Sequence, residues 1–133
     1  MVATDWSTLP LNDELGEALR AELLGWPGVR VRSVMGTMAF YRNAHMLGCY
    51  INRNLFKKAQ KPPWANPQGE PPLVWIRLRA QDARRALKRL GVRPQGVHFA
   101  RWIEIPLASR ESLEEAVRWF GCAYERPARA KSR

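Results

Sequence analysis

Short stretches in which apolar and polar residues alternate predict the strands of this protein. The clearest begins at Val29, where apolar side chains are separated by Arg30 and Arg32. A period of two places the arginines on one side of a strand and the valines on the other. Further apolar stretches of strand length follow, and Gly48 in one of them allows a bulge or a close approach of backbones. The five predicted strands cover residues 29–34, 38–41, 46–51, 73–79 and 102–105.

Three other segments repeat their apolar residues with the period of an α-helix. They lie near 11–24, 81–90 and 110–123, with Gly91 after the second and Ser109 before the third. In each segment the apolar residues fall on one arc, so each helix has a single face to bury. The predicted buried residues are Leu11, Leu15, Ala18, Leu19 and Leu23, then Ala83, Ala86, Leu87 and Leu90, then Leu113, Ala116, Val117, Phe120 and Tyr124.

The order of these elements predicts an α+β fold with two layers. Three consecutive strands joined by short turns favour an antiparallel sheet, and helices with one apolar face pack on such a sheet. We therefore expect a five-stranded, mainly antiparallel sheet with helices packed on it, in the order α-β-β-β-β-α-β-α. The length predicts a single domain over residues 1–133. Residues 1–9, with Trp6, are expected to form a loose arm, and residues 126–133 a frayed basic tail.

The segment 57–72 interrupts the pattern between the third and fourth predicted strands. It contains five prolines and one glycine, which exclude a helix or a central strand. A loop of this length in a compact domain is usually either functional or disordered. Trp64 lies in this proline-rich loop, flanked by Lys57, Lys58 and Lys61.

The formal net charge of +10 is concentrated in the middle of the chain. Residues 29–100 contain fourteen basic and two acidic residues, whereas residues 1–28 contain one basic and five acidic residues. Such an excess suits an acidic partner, either nucleic acid, an anionic lipid surface or an acidic protein. Arginine makes up 17 of the 22 basic residues, a bias that a GC-rich genome alone would also produce.

The sequence offers few residues for catalysis or metal binding. The two cysteines, Cys49 and Cys122, and the two histidines, His45 and His98, lack the ordered spacing of a zinc site. We expect no metal, no cofactor and no disulfide. Cys49 and His98 could pair in space as nucleophile and base, but a cysteine on a strand is more often a small core residue. No catalytic residue is predicted, and no glycine-rich phosphate loop is visible.

The chain also shows no pattern typical of membrane insertion or secretion. No apolar run approaches the length of a membrane helix, and the first residues lack the basic start and apolar stretch of a secretory signal. We expect a cytoplasmic protein with reduced thiols and no membrane partner.

The most prominent surface feature is a basic arc on the second predicted helix, opposite its apolar residues. One interpretation is a solvated helix face; the other is contact with phosphates, which positions a protein on nucleic acid without reading its bases. The tryptophan of the proline-rich loop either stacks on the bases of a single strand or covers the edge of the core. The candidate partner surface therefore comprises Lys57, Lys58, Lys61, Trp64, Arg84, Arg85, Lys88 and Arg89.

A series of segments over about residues 28–125 follows the pattern of a known family. The segments are Arg32–Gly36, Met38–Tyr41, Met46–Cys49, Leu73–Leu78, the helix to Leu90, Gly91–Pro94, Trp102–Ile105 and the helix with Trp119. They resemble the TfoX N-terminal domain family, although the turn at Val34-Met35-Gly36 departs from the commoner Met-Phe-Gly and 57–72 looks like an insertion. The resemblance implies a two-layer α+β fold, a bacterial cytoplasmic protein and a link to the regulation of natural competence, with no established catalytic residues.

Three functions remain open from the sequence. The leading hypothesis is a small non-catalytic binding or regulatory domain that acts through a protein or nucleic-acid partner, with a homodimer among the options. The alternatives are direct nucleic-acid binding through the basic helix and the loop with its tryptophan, and an uncharacterised enzyme that uses a cleft between the sheet and the insertion.

Overall fold

The computed structural model describes residues 5–56, 63–95 and 101–131, with side chains up to Arg126. These ranges form three α-helices, six strands and one short 3-10 helix at Arg53–Leu55. In chain order the elements are α1 (Glu14–Leu24), β1 (Val29–Val34), β2 (Thr37–Arg42), β3 (His45–Ile51), β4 (Leu73–Arg77), α2 (Ala80–Ala86), β5 (Arg93–Pro94), β6 (Trp102–Pro106) and α3 (Arg110–Lys131).

The strands form one antiparallel sheet in the order β1-β2-β3-β4-β6-β5. The predicted α+β class and the antiparallel sheet are confirmed. The expected five strands become six because β5 contains only two residues, which is too short to produce a periodic signal. This strand lies at the sheet edge, where Arg93 pairs with Glu104 and Pro94 with Ile103.

All three helices bury side chains against the same face of the sheet, which we call the inner face. Leu19 of α1, Ala83 of α2 and Phe120 of α3 belong to one core cluster with Phe40 and Ile76 of the sheet. The rings of Phe40 and Phe120 meet edge to face, with their centroids 5.6 Å apart. This geometry is favourable for aromatic pairs and fixes α3 across the centre of the sheet.

The N-terminal segment differs from the expected loose arm where the structure describes it. Arg20 of α1 is 6% exposed and donates hydrogen bonds from Nη1 to the carbonyl oxygens of Trp6 and Leu9, at 3.1 and 2.7 Å. A buried guanidinium needs such acceptors, so it holds residues 5–9 against the domain. Trp6 packs on the core cluster in consequence; residues 1–4 lie outside the described ranges.

Helix α2 is shorter than the sequence predicts. It ends at Ala86, and the predicted core residues Leu87 and Leu90 are 38% and 99% exposed. The helical period fails there because the chain turns to place β5 beside β6. Gly91, with φ of +83°, lies in this turn, in a backbone region that favours glycine.

Helix α3 is longer than the sequence predicts. The expected basic tail continues the helix to Lys131. Tyr124 explains part of the extension, because its hydroxyl donates to the carbonyl oxygen of Pro27 at 2.8 Å and its ring lies 4.1 Å from the Cζ of Arg42. These contacts fasten the helix beyond residue 123 to β2 and to the segment that follows α1.

Gly48 lies where backbone and helix approach most closely. The register of β2 and β3 shifts between Phe40, which lies opposite Gly48, and Tyr41, so the irregularity occurs where the sequence allowed a bulge or a close approach. A Cβ atom on Gly48 would clash with the carbonyl oxygen of Trp75 and lie 2.9 Å from Cε1 of Phe120. Only glycine fits between β4 and α3 at this point.

A pair of alanine substitutions tests this contact. Gly48→Ala should lower the free energy of unfolding by about 1–3 kcal/mol or more, because neighbouring backbone must move. Gly121→Ala, in α3 with no atom within 4 Å of the added Cβ, should raise it by up to about 1 kcal/mol through helix propensity. Urea unfolding measures both, and equal effects at the two positions would contradict the close approach.

Candidate functional site

The face of the sheet opposite the helices, which we call the outer face, carries aromatic and arginine side chains together. Directly paired residues share a face, so the row Arg32, Ala39, Cys49, Trp75 and Glu104 crosses the sheet on this side. Alternation along each strand assigns the remaining members. The aromatic and charged residues of the outer face are Arg30, Arg32, Tyr41, Trp75, Arg77, Arg93, Trp102 and Glu104.

Phe56 covers part of the outer face, and the aromatic side chains on the rest of that face remain partly exposed. Phe56 packs against a small apolar cluster that includes Ile51 and Leu73, and its ring lies against Gly36. Tyr41, Trp75 and Trp102 are each half-buried. Such side chains are held in place by their neighbours while part of the ring stays accessible to a partner.

Glu104 is the one acidic residue among the strand positions of the outer face within the described ranges, and it is already engaged. It is 8% exposed, accepts a hydrogen bond at Oε1 from Nε1 of Trp75 at 2.8 Å, and forms an ion pair with Arg93 through Oε2. Arg32 lies over the ring of Tyr41, with Cζ 5.3 Å from the centroid. The ion pairs found among the described residues do not include Arg30, Arg32 or Arg77.

Three arginines lie near the end of the outer face where β4 ends and β6 begins: Arg77 pairs with Trp102, Arg101 precedes Trp102, and Arg126 binds Met46 of the neighbouring β3. We call Arg77, Arg101 and Arg126 the arginine cluster. Arg126 is half-buried and donates from Nη2 to the carbonyl oxygen of Met46 at 2.8 Å, which fixes the end of α3 against β3. Burial lowers the pKa of Arg126, and the positive charges of Arg77 and Arg101 lower it further. The three positive charges therefore lie close enough to act on one another.

The basic residues predicted on the second helix are partly neutralised. Arg85 forms an ion pair with the buried Asp82 at 3.2 Å, and its Cζ lies 5.8 Å from the ring of Trp119. Arg89 forms an ion pair with Glu115 of α3 at 2.5 Å. Arg85 thus pairs within α2 and contacts Trp119 of α3, whereas Arg89 joins the segment after α2 to α3. Arg84 and Lys88, the other two predicted residues, are exposed.

In the chain, the proline-rich loop precedes β4 and α2 follows it. The described part of the loop, residues 63–72, is anchored by Asn66, whose Oδ1 accepts from the backbone N–H of Arg53 at 2.7 Å. Leu73 then begins β4, and α2 follows only after its last residue. After α2 the chain returns, so that Arg89 pairs with Glu115 near the start of α3 and Arg93 lies opposite Glu104 of β6. Trp64 is 38% exposed, and its place on one surface with these basic residues stays a prediction; Lys57, Lys58 and Lys61 lie outside the described ranges.

A polar groove of about 530 Å³ lies between the start of α1, the end of β3 and the loop. Its polar side chains bind one another: Asp13 Oδ2 accepts from the backbone N–H of Gly16 and from the hydroxyl of Tyr50, which in turn accepts from Asn52. Burial raises the pKa of the Tyr50 phenol, and its hydrogen bond to Asp13 raises it further. The bond from Gly16 to Asp13 caps α1, and those of Tyr50 link this cap to the end of β3; the sequence analysis did not identify this network.

The residues considered for catalysis and metal binding are dispersed. Cys49 is buried on the outer face, Cys122 packs at the inner core, and His45 is exposed at the start of β3. Burial raises the pKa of the Cys49 thiol to about 12, so it is protonated at neutral pH and a poor nucleophile. Within the described residues no group of three or more metal-binding side chains is found. His98 lies outside those residues.

Comparisons with known proteins find no relative of this chain. A scan against protein-family models and searches among curated proteins and solved structures give no match. The similarity to the TfoX N-terminal domain therefore stays a prediction. In the part of the chain that the structure describes, no helix has the length and apolar character needed to span a membrane.

Cys49 predicts a specific loss of stability at alkaline pH. The folded thiol keeps its proton up to a pKa of about 12, whereas the unfolded thiol ionises near the ordinary value of 9.0. Between these values the folded state binds more protons, so the free energy of unfolding falls as pH rises, by up to about 1.4 kcal/mol per unit. Cys49→Ala should flatten this decline between pH 9.0 and about 12, measured by urea unfolding. An unchanged slope would contradict the assignment.

Proposed function

We propose that this chain is a non-catalytic binding domain that holds single-stranded nucleic acid on the outer face of its sheet. The observation that carries the proposal is the combination on that face of Tyr41, Trp75 and Trp102 with four arginines and a single, already paired glutamate. Antiparallel sheets with aromatic side chains on an accessible face are used elsewhere to stack the bases of single strands.

The chemistry of the two residue types is complementary in this role. Half-buried aromatic rings offer flat surfaces that every base can stack on, which favours binding with little sequence preference. Arginine side chains beside them contact phosphates and stack through their planar guanidinium groups. Arg32, close to the ring of Tyr41, places both features at one point of the sheet.

A single strand suits this surface better than a duplex. The bases of a duplex are stacked on one another, so rings on a sheet cannot reach their faces. A duplex would usually be contacted by a helix in the major groove. Helix α2 has only seven residues, and both Arg85 and Arg89 are committed to ion pairs. These observations favour the sheet over the basic helix as the binding surface.

Matched substitutions separate the outer face from the surface suggested by the sequence. Tyr41→Leu and Arg32→Gln should each weaken binding of single strands of about ten nucleotides by roughly tenfold, since a stacked base contributes about 1–3 kcal/mol. Trp64→Leu and Arg84→Gln remove the same side-chain types elsewhere and should change affinity by less than about twofold. Fluorescence anisotropy at several salt concentrations measures the affinities, and thermal unfolding shows that each variant is folded.

The salt dependence gives a second criterion. Arg32→Gln should reduce the slope of log affinity against log salt by about one phosphate contact, whereas Tyr41→Leu should leave that slope unchanged. The proposal is wrong if the parent chain binds no more tightly than an unrelated protein of similar charge. It is equally wrong if the Trp64 and Arg84 substitutions weaken binding while those on the outer face do not.

A regulatory domain that binds a protein is the second candidate, as the similarity to the TfoX N-terminal domain implies. The observation that favours it is the exposure of Leu87 and Leu90 in the turn after α2, where Leu90 is 99% exposed. Exposed apolar side chains of this size can anchor a protein partner. Both follow α2, which packs on the inner face, so a protein bound there would leave the outer face accessible to nucleic acid.

Substituting both leucines tests this second candidate. The double change Leu87→Ser and Leu90→Ser should leave the free energy of unfolding within about 0.5 kcal/mol, because neither side chain is buried. Co-purification from the native host should then lose a partner that the parent chain retains. Equal recovery of every partner with the parent and the variant would exclude this surface.

A further inference from the structure

We infer that the arginine cluster binds a terminal phosphate of the strand that lies on the outer face. This inference rests on the proposed function and adds to it the chemical group that is recognised at one end of the strand. The residues concerned are Arg77, Arg101 and Arg126, which come from β4, the start of β6 and α3.

The position of the cluster joins it to the outer face. Arg77 is an outer-face residue that pairs directly with Trp102 across β4 and β6. Arg101 precedes Trp102, and its carbonyl oxygen accepts from the backbone N–H of Leu78 at 2.7 Å. The cluster therefore borders an aromatic side chain of the proposed stacking surface. A base on Trp102 would place its own phosphate within reach of these arginines.

The cluster has positive charge that no described carboxylate pairs with. None of the ion pairs in the described ranges involves Arg77, Arg101 or Arg126. The charged groups that act on Arg126 are the other two arginines, and they oppose its protonated form. Holding like charges together is unfavourable without an anion, and arginine is the side chain best suited to bind phosphate oxygens in pairs.

The geometry also favours a fixed ligand position over a diffuse basic patch. Arg126 is half-buried, and its hydrogen bond to the carbonyl oxygen of Met46 fixes the position of its guanidinium group. Arg77 and Arg101 are exposed and can turn towards a ligand beside it. One guanidinium bound to the backbone and two exposed ones nearby can donate to the same anion.

The charge of the cluster fits the end of a strand better than its interior. A phosphodiester within the strand carries one negative charge, whereas a terminal phosphomonoester carries between about 1.5 and 2 at pH 7 because its second pKa is about 6. Three guanidinium groups therefore match a terminal phosphate more closely. Either end of a strand can carry such a phosphate, so the experiment includes both.

The test uses the full chain and three single strands of the same sequence, about ten nucleotides long. One carries a 5′-phosphate, one a 3′-phosphate, and one hydroxyl groups at both ends. At pH of about 7.5, one of the phosphorylated strands should bind at least about tenfold more tightly than the hydroxyl-ended strand. This preference should shrink as pH falls below about 6, where the phosphomonoester becomes a monoanion.

Two variants and a matched control localise the effect. Arg77→Gln and Arg126→Gln should remove the preference for the phosphorylated strand while the hydroxyl-ended strand still binds. Arg77 makes the sharper test, because Arg126 also fastens α3 to β3. Arg110→Gln removes an exposed charge at the other end of α3 and should retain the full preference. Thermal unfolding confirms that each variant is folded.

The outcomes separate this inference from the proposed function. If all three strands bind equally and Tyr41→Leu weakens them all, the outer face binds nucleic acid and the terminal-phosphate inference is overturned. If no strand binds, the proposed function fails as well. Inorganic phosphate serves as a further probe: if it raises the unfolding temperature of the parent but not of Arg77→Gln, while the strands show no preference, the cluster takes free phosphate and the inference is again overturned.

Discussion

The close packing of α3 on the sheet at Gly48 is the contact on which the rest of the arrangement depends. Without a side chain at Gly48, Phe120 can lie against the backbone and meet Phe40 edge to face. This contact fixes the position of α3 near its middle, and Tyr124 then ties it to the segment after α1. The end of the helix can therefore reach β3, where Arg126 binds the carbonyl oxygen of Met46. The inner core thus determines where the arginine cluster forms.

The division of the sheet into two unlike faces follows from the same packing. Three helices are enough to cover the inner face, and their apolar residues form one cluster with it. On the outer face the small residues Ala39 and Cys49 form a buried floor beneath larger side chains. The larger aromatic and arginine side chains of neighbouring strands can then lie next to one another above these small residues. The proposed binding surface is a consequence of how the helices are distributed.

The sequence predicts the fold well where periodicity is local. Alternation through Arg30 and Arg32 correctly indicates β1 and its exposed side, and the helical period locates α1 and α3. The wheel drawn for α2 includes Leu87 and Leu90, although the helix has ended, because a turn can continue an apolar period by chance. Likewise, charge on a helix face does not show that Arg89 will find Glu115 on another helix.

The candidate site was less predictable because its members are distant in the chain. Alternation alone could have suggested that Trp75 and Arg77 share a face, but only the pairing of β4 with β6 adds Trp102. The arginine cluster joins three elements, and its assembly depends on the packing of α3. The edges of the sheet add a consequence for association. β5 is two residues long and contains Pro94, while β1 presents Arg30 and Arg32. Short, proline-containing or charged edges resist the strand-to-strand pairing that leads to aggregation, so a sheet with one uncovered face can still remain separate from its copies.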